Sequence, residues 1–221
     1  MFSFQPANRI FSHKLYIFPF EALTPFAVLQ SRLHSAWTWL LSSTMKNDLN
    51  YSASDCFETF PFPKPDPRTV IPALEDIGQR LYEFRAKYMV DENVGLTITY
   101  NRLKDPACDD ARILELRGMH EQMDREVLSA YGWSDIEVPL YCPMNDADKK
   151  KLEKFEDEVI DRLFVLNGKR AEEEKIKGLG AGSGKKEGAA KRAAKPAEEA
   201  NTRGQKRKQS GQSALPGLDE D

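Results

Sequence analysis

A mostly helical α+β chain is predicted from three observations. An aromatic and β-branched run lies near the N-terminus, four later stretches carry apolar residues at helical spacing, and apolar residues nearly vanish after Ala171. The first reads as a short N-terminal β remnant, the second as about four amphipathic helices, and the third as a disordered basic C-terminal tail. The boundaries are drawn at residues 1–56 for the β-containing part, 57–68 for a Phe/Pro-rich connector, 69–168 for a helical region and 169–221 for the tail.

Residues 9–20, from Arg9 through Ile10, Tyr16 and Ile17 to Phe20, read as a strand ended by Pro19. One strand cannot stand alone, and nothing before it supplies a partner. Met1 is therefore expected to be an internal methionine of a longer ancestral chain, or the start of a truncated gene. Thr24-Pro25 reads as an N-cap with proline at the first helical position. Phe26, Leu29, Leu33, Trp37 and Leu40 then carry one helix to about residue 43. Lys46 to Tyr51 is polar, with Asn47 and Asp48 as turn formers.

Val70, Leu74, Ile77, Leu81 and Tyr88 mark a second helix, with Pro67 and Pro72 near its start. Residues 91–108 read as an 18-residue loop, long enough that function or a brief secondary element is suspected. Asp109-Asp110 caps a third helix with its seam at Ile113, Leu116, His120, Met123 and Val127, terminated by Gly132. Asn145 caps a fourth, with Asp148 three residues on and Leu152, Phe155, Val159, Leu163 and Leu166 as its stripe. Asn167-Gly168 ends it, with residues 171–177 as a fraying extension.

The chain is organised around Tyr51 to Pro65. Three phenylalanines and three prolines fall between Phe57 and Pro65. Each proline fixes φ, removes a donor and pushes the preceding residue towards extended backbone. Phe57, Phe60 and Phe62 are too apolar for water, so the stretch reads as a rigid, buried connector.

This stretch also resembles a signature of one family. Tyr51, then Ser54, Asp55, Cys56, Phe57 and Glu58, then Thr59-Phe60-Pro61-Phe62-Pro63, is similar to a motif of the large adenine-specific DNA methyltransferases of fused restriction-modification systems (type IIG and relatives). Further pieces follow in the same order: Phe11-Ser12-His13, Leu29 to His34, Gly95-Leu96-Thr97 with Thr99 to Arg102, and Leu128 to Trp133. The resemblance covers roughly residues 5 to 170 and concerns the family's C-terminal part. It implies that residues 1–56 end a DNA target-recognition domain and that residues 69–168 are the helical region behind it. It also implies that the full-length family uses S-adenosylmethionine to methylate adenine N6.

The residues of this chain supply no such catalytic centre. An adenine-N6 transferase needs an Asn-Pro-Pro-Tyr type loop to hold the flipped base, and a glycine-rich turn for its cofactor. Neither occurs, and Phe60-Pro61-Phe62-Pro63 has no amide or carboxylate before its prolines. No Pro-Asp…Asp/Glu-x-Lys arrangement suggests a nuclease. No cofactor is expected to bind this chain; S-adenosylmethionine belongs to the full-length family. The Gly178–Lys186 run departs from a phosphate-binding loop in residue types and lacks a preceding strand, so it reads as a linker. His34 and His120 sit amid apolar stripes and read as core or boundary histidines, and His13, in the expected strand, is uninformative.

Composition bounds the partners. Residues 169–208 hold 13 Lys/Arg against 6 Asp/Glu, a net +7, whereas residues 1–168 hold 19 against 26, a net −7. An acidic body argues against a broad DNA-binding face, while the tail, with Lys206-Arg207-Lys208, is either a non-specific polycation or a solubilising linker. Cys56, Cys108 and Cys142 form no Cys-x-x-Cys pair, which points to a reducing cytoplasm and no zinc site. No apolar run is long enough to span a bilayer, so no membrane partner is expected.

Two clusters are candidates for DNA contact: Lys46, Asn47, Asn50, Tyr51 and Ser52 before the connector, and Thr97, Thr99, Tyr100, Asn101 and Arg102 in the long loop. Both also read as ordinary loops, with Tyr100 and Arg102 packing on a neighbouring helix. By resemblance the first cluster falls in the recognition domain. Trp37 and Trp133 read as packing residues. The expected function is target recognition and structural support for an adenine-specific DNA methyltransferase, without catalysis. The expected partners are double-stranded DNA and a separate methyltransferase core polypeptide. The rivals are a non-enzymatic helical protein-interaction module and a non-functional gene fragment that exposes apolar surface.

Overall fold

Helix α1 (Leu23–Gln30) begins with no side-chain cap of its own. The cap comes from the next long helix in the chain, α3 (Pro72–Asp91). Glu75 accepts hydrogen bonds from the Leu23 N–H (2.9 Å), the Thr24 N–H (2.7 Å) and the Thr24 hydroxyl (2.8 Å), satisfying amides that a helix start leaves open. Thr24 is thus inside the first turn rather than the N-cap. Where the two helices meet, Gly78 lets them approach closely: a Cβ there would lie 3.1 Å from the Leu23 carbonyl oxygen.

The structure is a computed structural model that describes residues 1–13, 15–45, 48–176 and 178, with the backbone alone for residues 43–45 and 48–50. Residues Met1–Glu173 form one compact unit; of the second, Glu174–Asp221, the described residues are 174–176 and 178.

The single helix expected from Thr24 to about residue 43 is two helices. Ser31 sits in extended backbone between α1 and α2 (Arg32–Leu41), donates to the Val28 carbonyl (2.6 Å) and accepts from the His34 N–H (3.4 Å). The break lets α1 bury nearly its whole circumference, from Thr24 to Leu29, while α2 buries Leu33, Ala36 and Trp37.

The strand expected over residues 9–20 is not formed. Among the described residues no neighbouring segment offers it a ladder, and a strand without one leaves its amides to water. A short antiparallel hairpin lies instead in the stretch expected to be a polar turn. It is β1 (Ser43–Met45) and β2 (Asp48–Asn50), with Ser43 opposite Asn50, Thr44 opposite Leu49 and Met45 opposite Asp48. A single π-helical turn, Ala53–Phe57, follows and delivers Cys56 into the core.

The connector is extended and buried as expected at Phe60 and Phe62. Its carbonyls find donors from distant helices. The Tyr131 hydroxyl donates to Pro61 O (2.8 Å), and the Arg170 guanidinium donates to Phe62 O (2.5 Å). Phe60 also packs edge-on to His34 at 4.8 Å and to Phe62 at 5.2 Å.

Helix α3 starts on Pro72, which has no N–H to lose there. It closes with Asn93 in the left-handed region (φ 50°) and the Val94 N–H bonded back to Met89 O (3.0 Å). The 18-residue loop expected next contains α4 (Leu96–Lys104). Its buried face, Thr99, Tyr100 and Leu103, is too short a pattern to announce a helix. Helix α5 (Ala111–Tyr131) is capped by Asp110, which accepts from the Arg112 N–H at 2.8 Å. Gly132 at φ 76° ends it, and the Trp133 N–H reaches Leu128 O at 2.9 Å. In α6 (Asp146–Ile176) the Asp148 N–H donates to Asn145 Oδ1 (3.0 Å) and the Asp148 carboxylate accepts from the Met144 N–H (3.1 Å).

Six α-helices therefore stand among the described residues, against about four expected, and α6 does not stop at Asn167-Gly168. Gly168 is exposed with nothing near it, so it costs α6 only propensity, while Leu163, Leu166 and Arg170 on either side keep the helix seated. The tail beyond Gly178 lies outside the described residues.

The core is one cluster drawn from α1 to α6 and the connector, including Leu33, Trp37, Leu74, Leu81, Leu116, Met123 and Leu163. Threaded through it is a polar network. Arg85, buried, donates to the Tyr100 hydroxyl (2.9 Å) and to Phe2 O (3.0 Å); Gln30 donates to the same hydroxyl (3.0 Å) and accepts the Phe2 N–H (3.0 Å). The N-terminal residues are thereby held against α1, α3 and α4.

Candidate nucleic-acid interface

The hairpin and the residues after it are built outward from α2. Tyr51, directly after β2, is half-buried; its hydroxyl lies 3.4 Å from His34 Nε2, and its ring sits 5.9 Å from His34 and 5.9 Å from Tyr16. Burial pushes the Tyr51 hydroxyl well above its usual range, with Cys56 and Tyr16 adding to the rise. Burial likewise lowers His34 to about 3, against an opposing backbone hydrogen bond at Cys56. His34 is therefore neutral at physiological pH, and this seat is a neutral, hydrogen-bonded one. Ser52 is paired with Ser54 through their hydroxyls (2.9 Å), and its carbonyl accepts the Cys56 N–H (2.8 Å).

Of the first candidate cluster, Lys46 and Asn47 lie outside the described residues, as does the side chain of Asn50; the backbone places Asn50 at the end of β2. The described part, Tyr51 and Ser52, forms the base of the hairpin. The second cluster sits on α4, a different element. Asn101 is exposed there. Arg102 donates to the Tyr88 hydroxyl (2.6 Å) and to Glu92 (3.3 Å), and Arg112 also pairs with Glu92. These bonds from Arg112 and Arg102 hold the Glu92 carboxyl below its usual range. Thr99 and Tyr100 are buried, so only Asn101 and Thr97 of that cluster face solvent freely.

The motif Leu29 to His34 points inward. Arg32 donates through Nε to Asp124 (2.6 Å) and through its other nitrogens to Leu140 O (3.0 Å) and Pro139 O (2.8 Å), while Asp124 also accepts the Arg32 N–H (2.9 Å). His120 is fully buried, lowered to about 3 by that burial and by Arg85 and Arg32, and stacked on Tyr141 at 4.6 Å. Trp37 is buried and donates to Thr59 Oγ1 (3.2 Å); Trp133 stacks on Tyr131 at 4.5 Å. Both are packing residues, as expected.

Sequence reasoning missed the exposed cations in the second half of the connector. Lys64 is exposed, and Arg68 is exposed with its guanidinium 5.9 Å from the centroid of the Phe20 ring. An isolated cation carries no periodic signal, so nothing marked them. Among the described residues no group of three or more His, Cys, Asp or Glu could hold a metal ion, and no helix is long and apolar enough to cross a membrane. Among the described residues the two strands are three residues each, and neither leads into a glycine-rich turn.

Residues 2–64, the segment that carries the hairpin, the π-turn and most of the connector, match the model of the family described as MmeI, target recognition domain. The chain is also similar to DNA methyltransferase A of Bacillus subtilis (strain 168), with 27% identity over 131 residues. That match covers 59% of this chain but only 14% of the relative's length. No solved structure matches the chain. The resemblance read in the sequence therefore stands in this form: the N-terminal segment is like a target-recognition domain, and the chain is similar to part of a DNA methyltransferase.

Proposed function

We propose that the chain is the DNA-reading end, with its helical support, of an S-adenosylmethionine-dependent adenine-N6 DNA methyltransferase of a restriction-modification system. Methyl transfer would come from a separate core polypeptide, in a reducing cytoplasm that suits the three free thiols. The observation that carries this reading is the target-recognition match over residues 2–64, which coincides with a hairpin seated on α2 through Tyr51 and His34. A two-stranded ribbon is one of the shapes that the major groove admits, and the polar residue types of this stretch of sequence are suited to base edges. Lys46, Asn47 and Asn50 are assigned to base or phosphate contact, Ser52 to the hairpin's base, and Asn101 to a lesser role from α4.

Fluorescence anisotropy with a labelled duplex, repeated at rising salt, tests this. Binding at low salt is expected, with the log–log salt slope of the Lys46→Ala variant smaller by about 1 if Lys46 meets a phosphate. Absence of binding at low salt would favour the helical protein-interaction module, a reading that the exposed apolar side chains of residues 10–17 also support.

A further inference from the structure

Three cations converge on the connector. Lys64 and Arg68 are exposed on it, and Arg170 reaches it from α6, donating to Phe62 O (2.5 Å) and Pro63 O (3.5 Å). Among the described residues none of the three is paired with a carboxylate. From Phe60 to Ile71 the chain carries one acid, Asp66, whose carboxylate accepts the Arg68 N–H (2.9 Å). Asp55 and Glu58 lie earlier, in the π-turn and at its end. The backbone that presents the cations is fixed in advance. Lys64 stands between Pro63 and Pro65, and Arg68 follows Pro67, so little conformational freedom remains to be lost on binding. Half-buried rings lead from the base of the hairpin to these cations. Centroids lie 6.2 Å apart from Tyr51 to Phe2, 6.1 Å from Phe2 to Phe18, 4.4 Å from Phe18 to Phe57 and 6.1 Å from Phe57 to Phe20, and the Arg68 guanidinium is 5.9 Å from Phe20. Steps of that size keep the Tyr51 ring and Arg68 within roughly 34 Å of each other, one helical turn of duplex.

We propose that Lys64 and Arg68 contact phosphates of double-stranded DNA beside the stretch that the hairpin reads. Cations without acid partners, held on a rigid chain, suit a polyanion whose charges are evenly spaced. Contacts to phosphate set the register of a protein on its duplex, while base edges carry the sequence. Lys64 and Arg68 are therefore positioning residues, and Arg170, already held by two carbonyls, adds to the local positive field. The inference rests on the DNA-reading proposal above and extends it to residues outside the hairpin.

The test titrates the full chain against two labelled duplexes of unrelated sequence, by fluorescence anisotropy at rising salt. Lys64→Ala and Arg68→Ala should each make the log–log salt slope smaller by about 1. Each should also weaken binding about tenfold at the lowest salt, equally on both duplexes. Lys64→Arg and Arg68→Lys, which keep the charge, should preserve slope and affinity. Lys154→Ala removes the same charge from an exposed site about 24 Å along α6 from Arg170, and should leave the slope unchanged. An equal drop for Lys154→Ala overturns the proposal, because bulk charge would then explain the effect. A loss confined to one duplex also overturns it, since the contact would then be to a base. Failure of the unaltered chain to bind either duplex at low salt sinks the DNA reading and this inference with it. Binding by the unaltered chain, with the same slope in Lys64→Ala and Arg68→Ala, sinks this inference alone.

Discussion

Thr24 and Glu75 are bound to each other twice across the α1–α3 contact, through the Thr24 hydroxyl and its backbone N–H. Burial of Glu75 raises its carboxyl, but the bonds from Leu23 and Thr24 together outweigh that and leave it below the ordinary value of 4.5. A lowered folded pKa means stability that is present above 4.5 and is lost as pH falls through the folded value. Glu75→Ala should cost about 1–2 kcal/mol at neutral pH, as loss of a helix cap does. Urea melts at pH 7 and pH 3 should show the difference between wild type and variant shrinking in acid.

His34 and His120 make a second pH dependence. Both are lowered from 6.5 to about 3, chiefly by burial, so the unfolded chain binds protons in that window that the folded chain refuses. Stability should therefore fall as pH drops from 6.5 towards 3, by up to about 1.4 kcal/mol per pH unit for each histidine. Thermal melts between pH 7 and pH 4.5 check the slope. His120→Gln should flatten it while lowering stability at pH 7.

Asp124 is completely buried, and its partner is Arg32. Asp124→Ala leaves the guanidinium without its counter-charge and is expected to cost about 3–5 kcal/mol. The double variant Arg32→Met, Asp124→Leu should recover part of that loss. Recovery stays partial because Pro139 O and Leu140 O lose their donors. A double-mutant cycle in chemical denaturation measures the coupling.

Gly78→Ala would ordinarily gain helix propensity. Here the new methyl meets the Leu23 carbonyl oxygen at 3.1 Å and Leu23 Cβ at 3.2 Å, and Leu23 is pinned by Glu75. The substitution should therefore destabilise, by about 1–3 kcal/mol, the range for overpacking. A lower melting temperature is the expected result; a higher one would show that α1 can shift.

The parts legible in the sequence are those whose cause is local. Asp110, Gly132 and Asn145 were readable as helix ends because each acts on amides or carbonyls within a few residues of itself. The connector was readable because prolines and phenylalanines leave few alternatives. What could not be read depends on distant partners. Thr24 looks like a cap until Glu75 takes that role, and Ser31 looks helical until both flanking helices need separate faces buried. Residues 9–20 have strand chemistry but no ladder among the described residues, and Arg102 looks available until Tyr88 and Glu92 engage it. For the candidate interface, the position of Tyr51 was legible, whereas its seat on His34 required the fold.

The carbonyls of Pro61 and Phe62 are gripped by Tyr131 and Arg170, side chains that lie far downstream in the chain. This gives protein engineers a natural splice point. A foreign segment could replace the hairpin between α2 and the connector while both clasps, and with them the heading of the emerging chain, stay unchanged. A graft that crosses the clasps would have to rebuild both.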